Sequence, residues 1–341
     1  MNKLNNYDKT NILGQGSIGK VYKVKSKKNN QEYALKVEYI EPGSNKNIGS
    51  SVWNEIEFSK KVARKFPEQF IQLISYDIIE NCDEKINIPN FLSPNMKLHL
   101  KEKKEKKICI RKLYDMIDTS LSKLDFSKMS LQQIYSIIIQ LLYICYILEQ
   151  SGWVHGDLHP GNIGIKYTDQ KFINILGNHR IPTFGIIVKA IDLGDIMHHS
   201  YVSNEKPFQG QKNTTEMQHY TQHRVIDKMI VYEVMQDTTK YWDFIQSKNI
   251  KLDYMKDRYR ITEANKDILE KISPHKDIQF RIYELLFPIS FQKIILGNNF
   301  ERVIENTYFV PKEDCLYFYY NFDNTELLIN YFIQKMKQYI N

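Results

Sequence analysis

Two short strand-like segments lie near the start of the chain. Lys20-Val21-Tyr22-Lys23-Val24-Lys25 carries β-branched Val21 and Val24 between lysines. Glu32-Tyr33-Ala34-Leu35-Lys36-Val37 follows after the polar turn Ser26-Lys27-Lys28-Asn29-Asn30. Strand-like segments separated by turn residues predict a β-hairpin. The period then changes. Over 51–65, Val52, Ile56, Ser59 and Ala63 share one helical face with Glu55 beside them, after a loop at 41–49 that holds Pro42 and Gly43. Strands are predicted again at 70–79 and 108–113. The polar stretch between them, 81–107, reads as an extended loop or hairpin insertion. From residue 119 the pattern predicts mainly helix, most clearly at 134–148. That apolar run of about fifteen residues is interrupted by Gln140 and is shorter than the roughly 20 a bilayer requires. It is predicted as a buried helix, and no transmembrane segment is expected.

Composition narrows this picture modestly. With 341 residues and 42% hydrophobic content the chain suits one large bilobal domain and excludes global disorder. The net charge of +7 gives a mildly basic surface, which favours acidic or nucleic-acid-associated partners. The lysine run from Lys97 to Lys107 is read as a solvated hairpin tip, because Glu102 and Glu105 interleave it and no aromatic residue does. Cys82, Cys109, Cys145 and Cys315 form no C-x-x-C pair. Their scatter argues against zinc and against a disulfide framework, and for a reducing, intracellular compartment. The first ten residues are polar, so a secretory signal is not expected.

The chemistry is concentrated in three places. Residues 155–162 read His-Gly-Asp-Leu-His-Pro-Gly-Asn, and Asp192-Leu193-Gly194 follows downstream of the apolar run Ile186–Ile191. A carboxylate that orients an acceptor hydroxyl, Asp157, and oxygen ligands for Mg²⁺, Asn162 and Asp192, are parts for phosphoryl transfer. Upstream lies Gly14-Gln15-Gly16-Ser17-Ile18-Gly19-Lys20-Val21. A glycine loop of this form is shared with dinucleotide-binding folds, where it runs from strand into helix. Here it runs into a strand, so its amides would cover phosphates from above.

Taken together, and in this order, these motifs resemble the protein kinase superfamily, over more than half of the chain. Within it the chain is similar to the divergent Ser/Thr kinases of large DNA viruses and to the casein-kinase-1 and vaccinia-related group. The resemblance implies an α+β bilobal fold: a β-rich N-lobe over 1–113 with one helix, a hinge at 114–118 and a helical C-lobe over 119–341, with ATP and Mg²⁺ between the lobes. It implies that Gly14, Gln15, Gly16, Ser17 and Gly19 cradle the nucleotide, that Val21 and Ala34 line the adenine pocket, and that Lys36 grips phosphate while Glu55 holds it. Asn162 and Asp192 would carry the metal, and Asp157 would be the catalytic carboxylate. Protein substrates and a monomeric, host-cytoplasmic or virion-borne enzyme are what the resemblance suggests.

Three departures bear on this. Gly156 stands where most such kinases carry arginine, so loop phosphorylation would have no arginine to engage. His159 stands where Ser/Thr kinases place lysine. No Ala-Pro-Glu follows Asp192. A small-molecule kinase of the aminoglycoside and choline type, or a nucleotide-binding pseudokinase scaffold, therefore stays open as an alternative.

Overall fold

The computed structural model describes residues 4–15, 19–40, 50–84, 94–177, 179–208, 214–248, 292–293 and 296–339. The chain divides into two compact units, Met1–Asp118 and Thr119–Asn341.

The first unit is built on a five-stranded antiparallel sheet of order β1-β2-β3-β5-β4. Its strands are β1 (Tyr7–Gln15), β2 (Gly19–Ser26), β3 (Glu32–Tyr39), β4 (Leu73–Ile79) and β5 (Cys109–Tyr114). Alternation on β3 separates two environments. Leu35, Val37 and Tyr39 join Val24, Leu113 and Leu4 in an apolar cluster, while Ala34, Lys36 and Glu38 face the other way, as a period of two requires. Helix α1 (Ser51–Lys61) is followed by a single 3₁₀ turn at Ala63–Lys65. Its Ile56 packs with Ile40 and Ile110.

Two expectations for this unit are corrected. The 81–107 stretch is not a hairpin in its described part: Pro94–Glu105 forms helix α2. Lys, Glu and Leu are good helix formers, so intrinsic propensity carried a signal that apolar periodicity did not. The four cysteines are also not all free, since Cys82 and Cys109 are disulfide-bonded. Antiparallel pairing of β4 with β5 sets Ile79 opposite Cys109, and the Cys82 amide donates to the Lys107 carbonyl at 2.8 Å. Sheet register brings the two sulfurs together without any short sequence spacing between them. Cys145 and Cys315 are buried free thiols.

The second unit is helical around α3 (Leu131–Ser151), which is buried along most of its length. A capping box starts it: Ser130 Oγ accepts from the Gln133 amide and Gln133 Oε1 accepts from the Ser130 amide at 2.9 Å. Gly152, at φ +72°, ends it in the left-handed conformation that favours glycine. These caps extend the helix to 21 residues, beyond the apolar run, so it is the one helix among the described residues long and apolar enough to cross a membrane. In this fold it is a core helix. Gln140, the polar interruption, donates to the Ile186 carbonyl at 3.1 Å and accepts from the Val188 amide at 2.8 Å.

This unit also contains short strands that the sequence reading missed: β6 (Thr119–Ser120), β7 (Trp153–Val154), β8 (Ile163–Tyr167), β9 (Phe172–Ile175), β10 (His179–Pro182), β11 (Ile186–Ala190) and β12 (Met197–His198). They pair as β11-β8-β6, β10-β9 and β12-β7. Several are too short to show a period of their own. Further helices are α4 (Glu216–Ile226), α5 (Met229–Met235), α6 (Thr238–Ser247), α7 (Phe300–Thr307), α8 (Lys312–Tyr320) and α9 (Thr325–Gln338). Helix α9 lies along α3. Asp314 of α8, fully buried, ties these helices by accepting from Tyr135, from Tyr331 at 2.6 Å and from Lys335 at 3.1 Å.

Candidate active site

In the first unit one cross-strand row carries much of the predicted nucleotide site. Gly14 lies opposite Val21, Val21 opposite Lys36, and Lys36 opposite Lys112. Residues opposite one another in antiparallel pairs share a face. Ala34, one step along that face, is buried and pairs with Lys23 and Tyr114. Gly16 and Ser17 lie outside the described residues. Gln15 ends β1 opposite Lys20. Gly19 has a structural demand of its own, because a Cβ there would stand 2.7 Å from the Val37 carbonyl oxygen. Close packing against β3 asks for glycine at that position, in addition to any approach to phosphate.

Lys36 and Glu55 are brought together, with Lys36 Nζ 3.7 Å from Glu55 Oε1. Glu57, the other acid on α1, instead pairs with Lys61 along the helix at 2.5 Å. The sequence reading missed two further partners of Glu55. Lys112 Nζ donates to Glu55 Oε2, and the Tyr114 hydroxyl donates to Glu55 Oε1 at 2.5 Å. Lys112 also reaches Glu38 Oε1 at 2.5 Å, and Glu38 Oε2 lies 3.8 Å from Lys36 Nζ. All four charged residues are buried. Burial by itself would push the Glu55 carboxyl up. The charges of Lys112 and then Lys36, with hydrogen bonds from Lys112 and Tyr114, outweigh this and hold it below the usual range. The signal for Lys112 was in the sequence: Ile110, Lys112 and Tyr114 alternate on one face of β5.

In the second unit the loop after β7 presents Asp157. Asp157 and His159 are exposed while His155, Gly156 and Leu158 are buried, so the loop is anchored on both sides of the carboxylate. Asn162 Nδ2 donates to the Asp157 carbonyl at 2.9 Å and to Asp157 Oδ2 at 3.1 Å. That orientation leaves Asn162 Oδ1 as the atom suited to a cation. Pairing of β8 with β11 sets Ile163 opposite Ala190, and the Ile191 amide donates to the Asn162 carbonyl at 2.9 Å. Asn162 and Asp192 therefore sit at adjoining ends of one hairpin ladder. Asp192 adopts φ +53°, a left-handed conformation uncommon for a non-glycine residue. Among the described residues no group of three or more His, Cys, Asp or Glu side chains is arranged to hold a metal. Asn162 and Asp192 offer oxygen only, the donor chemistry that fits Mg²⁺.

His159 caps the 3₁₀ turn Pro160–Asn162, its Nδ1 accepting from the Gly161 amide at 3.0 Å. Its Nε2 lies 3.7 Å from Asp157 Oδ2. His155 is fully buried, and its Nε2 donates to the Ile191 carbonyl at 2.9 Å. Burial depresses its pKa, so it is a neutral packing residue. Asp227, at the end of α4, was not legible in the sequence. It accepts from the His155 amide at 2.6 Å and from the Gly156 amide, and burial pushes its carboxyl up to about 7 against those two bonds.

Gly156 departs from the family pattern for a local reason. It holds φ +84°, and a Cβ there would collide with the Asp195 carbonyl oxygen. Arginine in this position would strain the backbone as well as meet that carbonyl. The variant Gly156→Arg is therefore expected to lose about 1–3 kcal/mol of stability from backbone strain and to turn over more slowly, without acquiring a response to loop phosphorylation. Denaturant melts and activity before and after phosphatase treatment check this; an arginine variant as stable as wild type would contradict it.

Residues 7–197 match the model of the protein kinase domain family. Mitogen-activated protein kinase kinase 10 of Arabidopsis thaliana is 28% identical over 209 residues, covering 60% of this chain and 54% of that protein. The chain thus spans about half the length of this curated relative.

Proposed function

Because the chain belongs to the protein kinase domain family, we propose that it catalyses ATP- and Mg²⁺-dependent phosphoryl transfer to Ser or Thr hydroxyls of protein substrates. The observation that carries this reading is the intact catalytic loop: Asp157 is exposed, hydrogen-bonded by Asn162, and follows two residues whose amides donate to buried Asp227. A pseudokinase scaffold would not need to retain all of Lys36, Asp157, Asn162 and Asp192 in its sequence. The Arabidopsis relative is named as a kinase of another protein kinase, which supports a protein acceptor.

Each residue has a task set by its chemistry. The Asp157 carboxylate accepts a hydrogen bond from the acceptor hydroxyl, orients its oxygen for in-line attack and takes up its proton. Asn162 fixes the rotamer of Asp157 through Nδ2. The Lys36 ammonium supplies a positive charge toward nucleotide phosphate, and Glu55 restrains it. Asn162 Oδ1 and the Asp192 carboxylate would hold Mg²⁺, which when bound neutralises charge on the phosphates. Backbone amides of the glycine loop donate to phosphate oxygens without adding net charge.

The His159 ring beside Asp157 favours a second reading, a small-molecule kinase, since protein kinases usually place lysine there. Incubation with labelled ATP against casein, a basic protein, aminoglycosides and choline separates the two. Label on a protein hydroxyl supports the first reading, and label only on a small molecule replaces it with the second. For the metal pair, Asp192→Ala is expected to lose the extra thermal stabilisation that Mg·ATP gives over ATP alone. An unchanged Mg²⁺-dependent shift in that variant would remove Asp192 from the metal site.

A further inference from the structure

Phosphoryl transfer by the residues above needs one buried lysine and one glutamate in the first unit, yet four charged groups are sequestered there. Lys36 and Lys112 lie directly opposite each other on β3 and β5, an arrangement of like charges that is unfavourable by itself. Glu38 and Glu55 neutralise them, and Lys112 is 0% exposed. The contacts are uneven. Lys112 donates to both carboxylates within hydrogen-bond distance, whereas Lys36 Nζ stands 3.7 and 3.8 Å from the same two groups. Removing one partner from a buried ionic group leaves a charge that its neighbours must absorb.

We infer that Lys112 is a positioning residue for nucleotide binding: it balances one of the two buried carboxylates and pins Glu55, so that Lys36 is set against one negative charge instead of two. The inference rests on the reading of Lys36 as the phosphate-binding lysine. Without Lys112, Glu38 and Glu55 together would draw the Lys36 ammonium in and weaken its hold on phosphate. Of these four groups one cation would then face two carboxylates, a net charge of −1.

The test is a charge-balance rescue in the full chain, read as ATP affinity by thermal shift and calorimetry. Lys112→Met keeps most of the stem and removes the charge, and is expected to weaken ATP binding by about tenfold or more. Adding Glu38→Gln restores one cation to one carboxylate, and should return affinity to within about threefold of wild type. A residue that merely filled space would show no such rescue. If Lys112→Met binds ATP as wild type does, or if the double variant binds no better than the single one, the inference is overturned. Should Lys112→Met fail to fold, the charge-balanced double variant decides alone: affinity within about threefold supports the inference, and a loss of about tenfold or more overturns it. The kinase reading is judged separately, by whether wild type transfers label from ATP, so that failure of one leaves the other standing.

Discussion

Asp157→Asn is expected to lower the rate of phosphoryl transfer by roughly 10²–10⁴-fold while leaving ATP affinity nearly unchanged. The carboxamide keeps the shape of the side chain and one acceptor oxygen, but it cannot take up the hydroxyl proton. The loop itself should survive, because its anchors lie elsewhere: Asn162 also bonds the Asp157 main-chain carbonyl, and Asp227 holds the amides of His155 and Gly156. On the proposed reading nucleotide affinity rests on Lys36 and on the metal ligands Asn162 and Asp192, none of which loses a charge. The measurement is turnover at saturating ATP together with a binding titration. Near wild-type turnover would show that Asp157 is not the catalytic carboxylate, and a collapse of ATP affinity would place it in the nucleotide site.

Asp227→Ala is expected to be the most damaging change away from the reacting groups. It leaves two buried main-chain N–H donors without their acceptor, at about 1–3 kcal/mol each. The segment carrying Asp157 then loses its tether, so activity should fall along with stability. Asp227→Asn separates charge from hydrogen bonding and gives a pH signature. The native carboxyl titrates at about 7 and the unfolded one at about 3.9. Between those values the native chain binds the extra proton, so the contribution of Asp227 is fully present below about pH 4 and is lost as pH rises through 7. The slope is at most about 1.4 kcal/mol per pH unit for one proton. His219 and His223, pushed down by burial to about 4 and about 3, act in the opposite sense. They stay neutral in the native chain while the unfolded chain protonates below about pH 6.5. The informative quantity is therefore the stability of Asp227→Asn minus that of wild type, in which the histidine contributions cancel. That difference should grow from pH 4 to pH 7 and level off above it. A flat difference would mean that Asp227 is ionised throughout and that its two amide donors outweigh burial.

Much of the candidate site was legible in the chain because its chemistry lies on contiguous segments. Asp157 and Asn162 share one loop, Asp192 follows an apolar run, and Lys36 sits in the short strand-like segment Glu32–Val37 after a polar turn. Local pattern alone established the N-terminal hairpin, helix α1 with Glu55, and the core helix α3, since each rests on a periodicity within a few turns or a few strand residues. Tertiary structure decided the rest. Lys112 joins Lys36 only through the pairing of β3 with β5, and Cys82 meets Cys109 only through the pairing of β4 with β5. Asp227 reaches the loop before Asp157 from a helix end far along the chain, and Gly156 is explained only by the nearby Asp195 carbonyl. A sequence records what each residue prefers nearby. Which buried charges share a pocket, and which amides a distant carboxylate must satisfy, follow from register and packing between segments far apart in the chain.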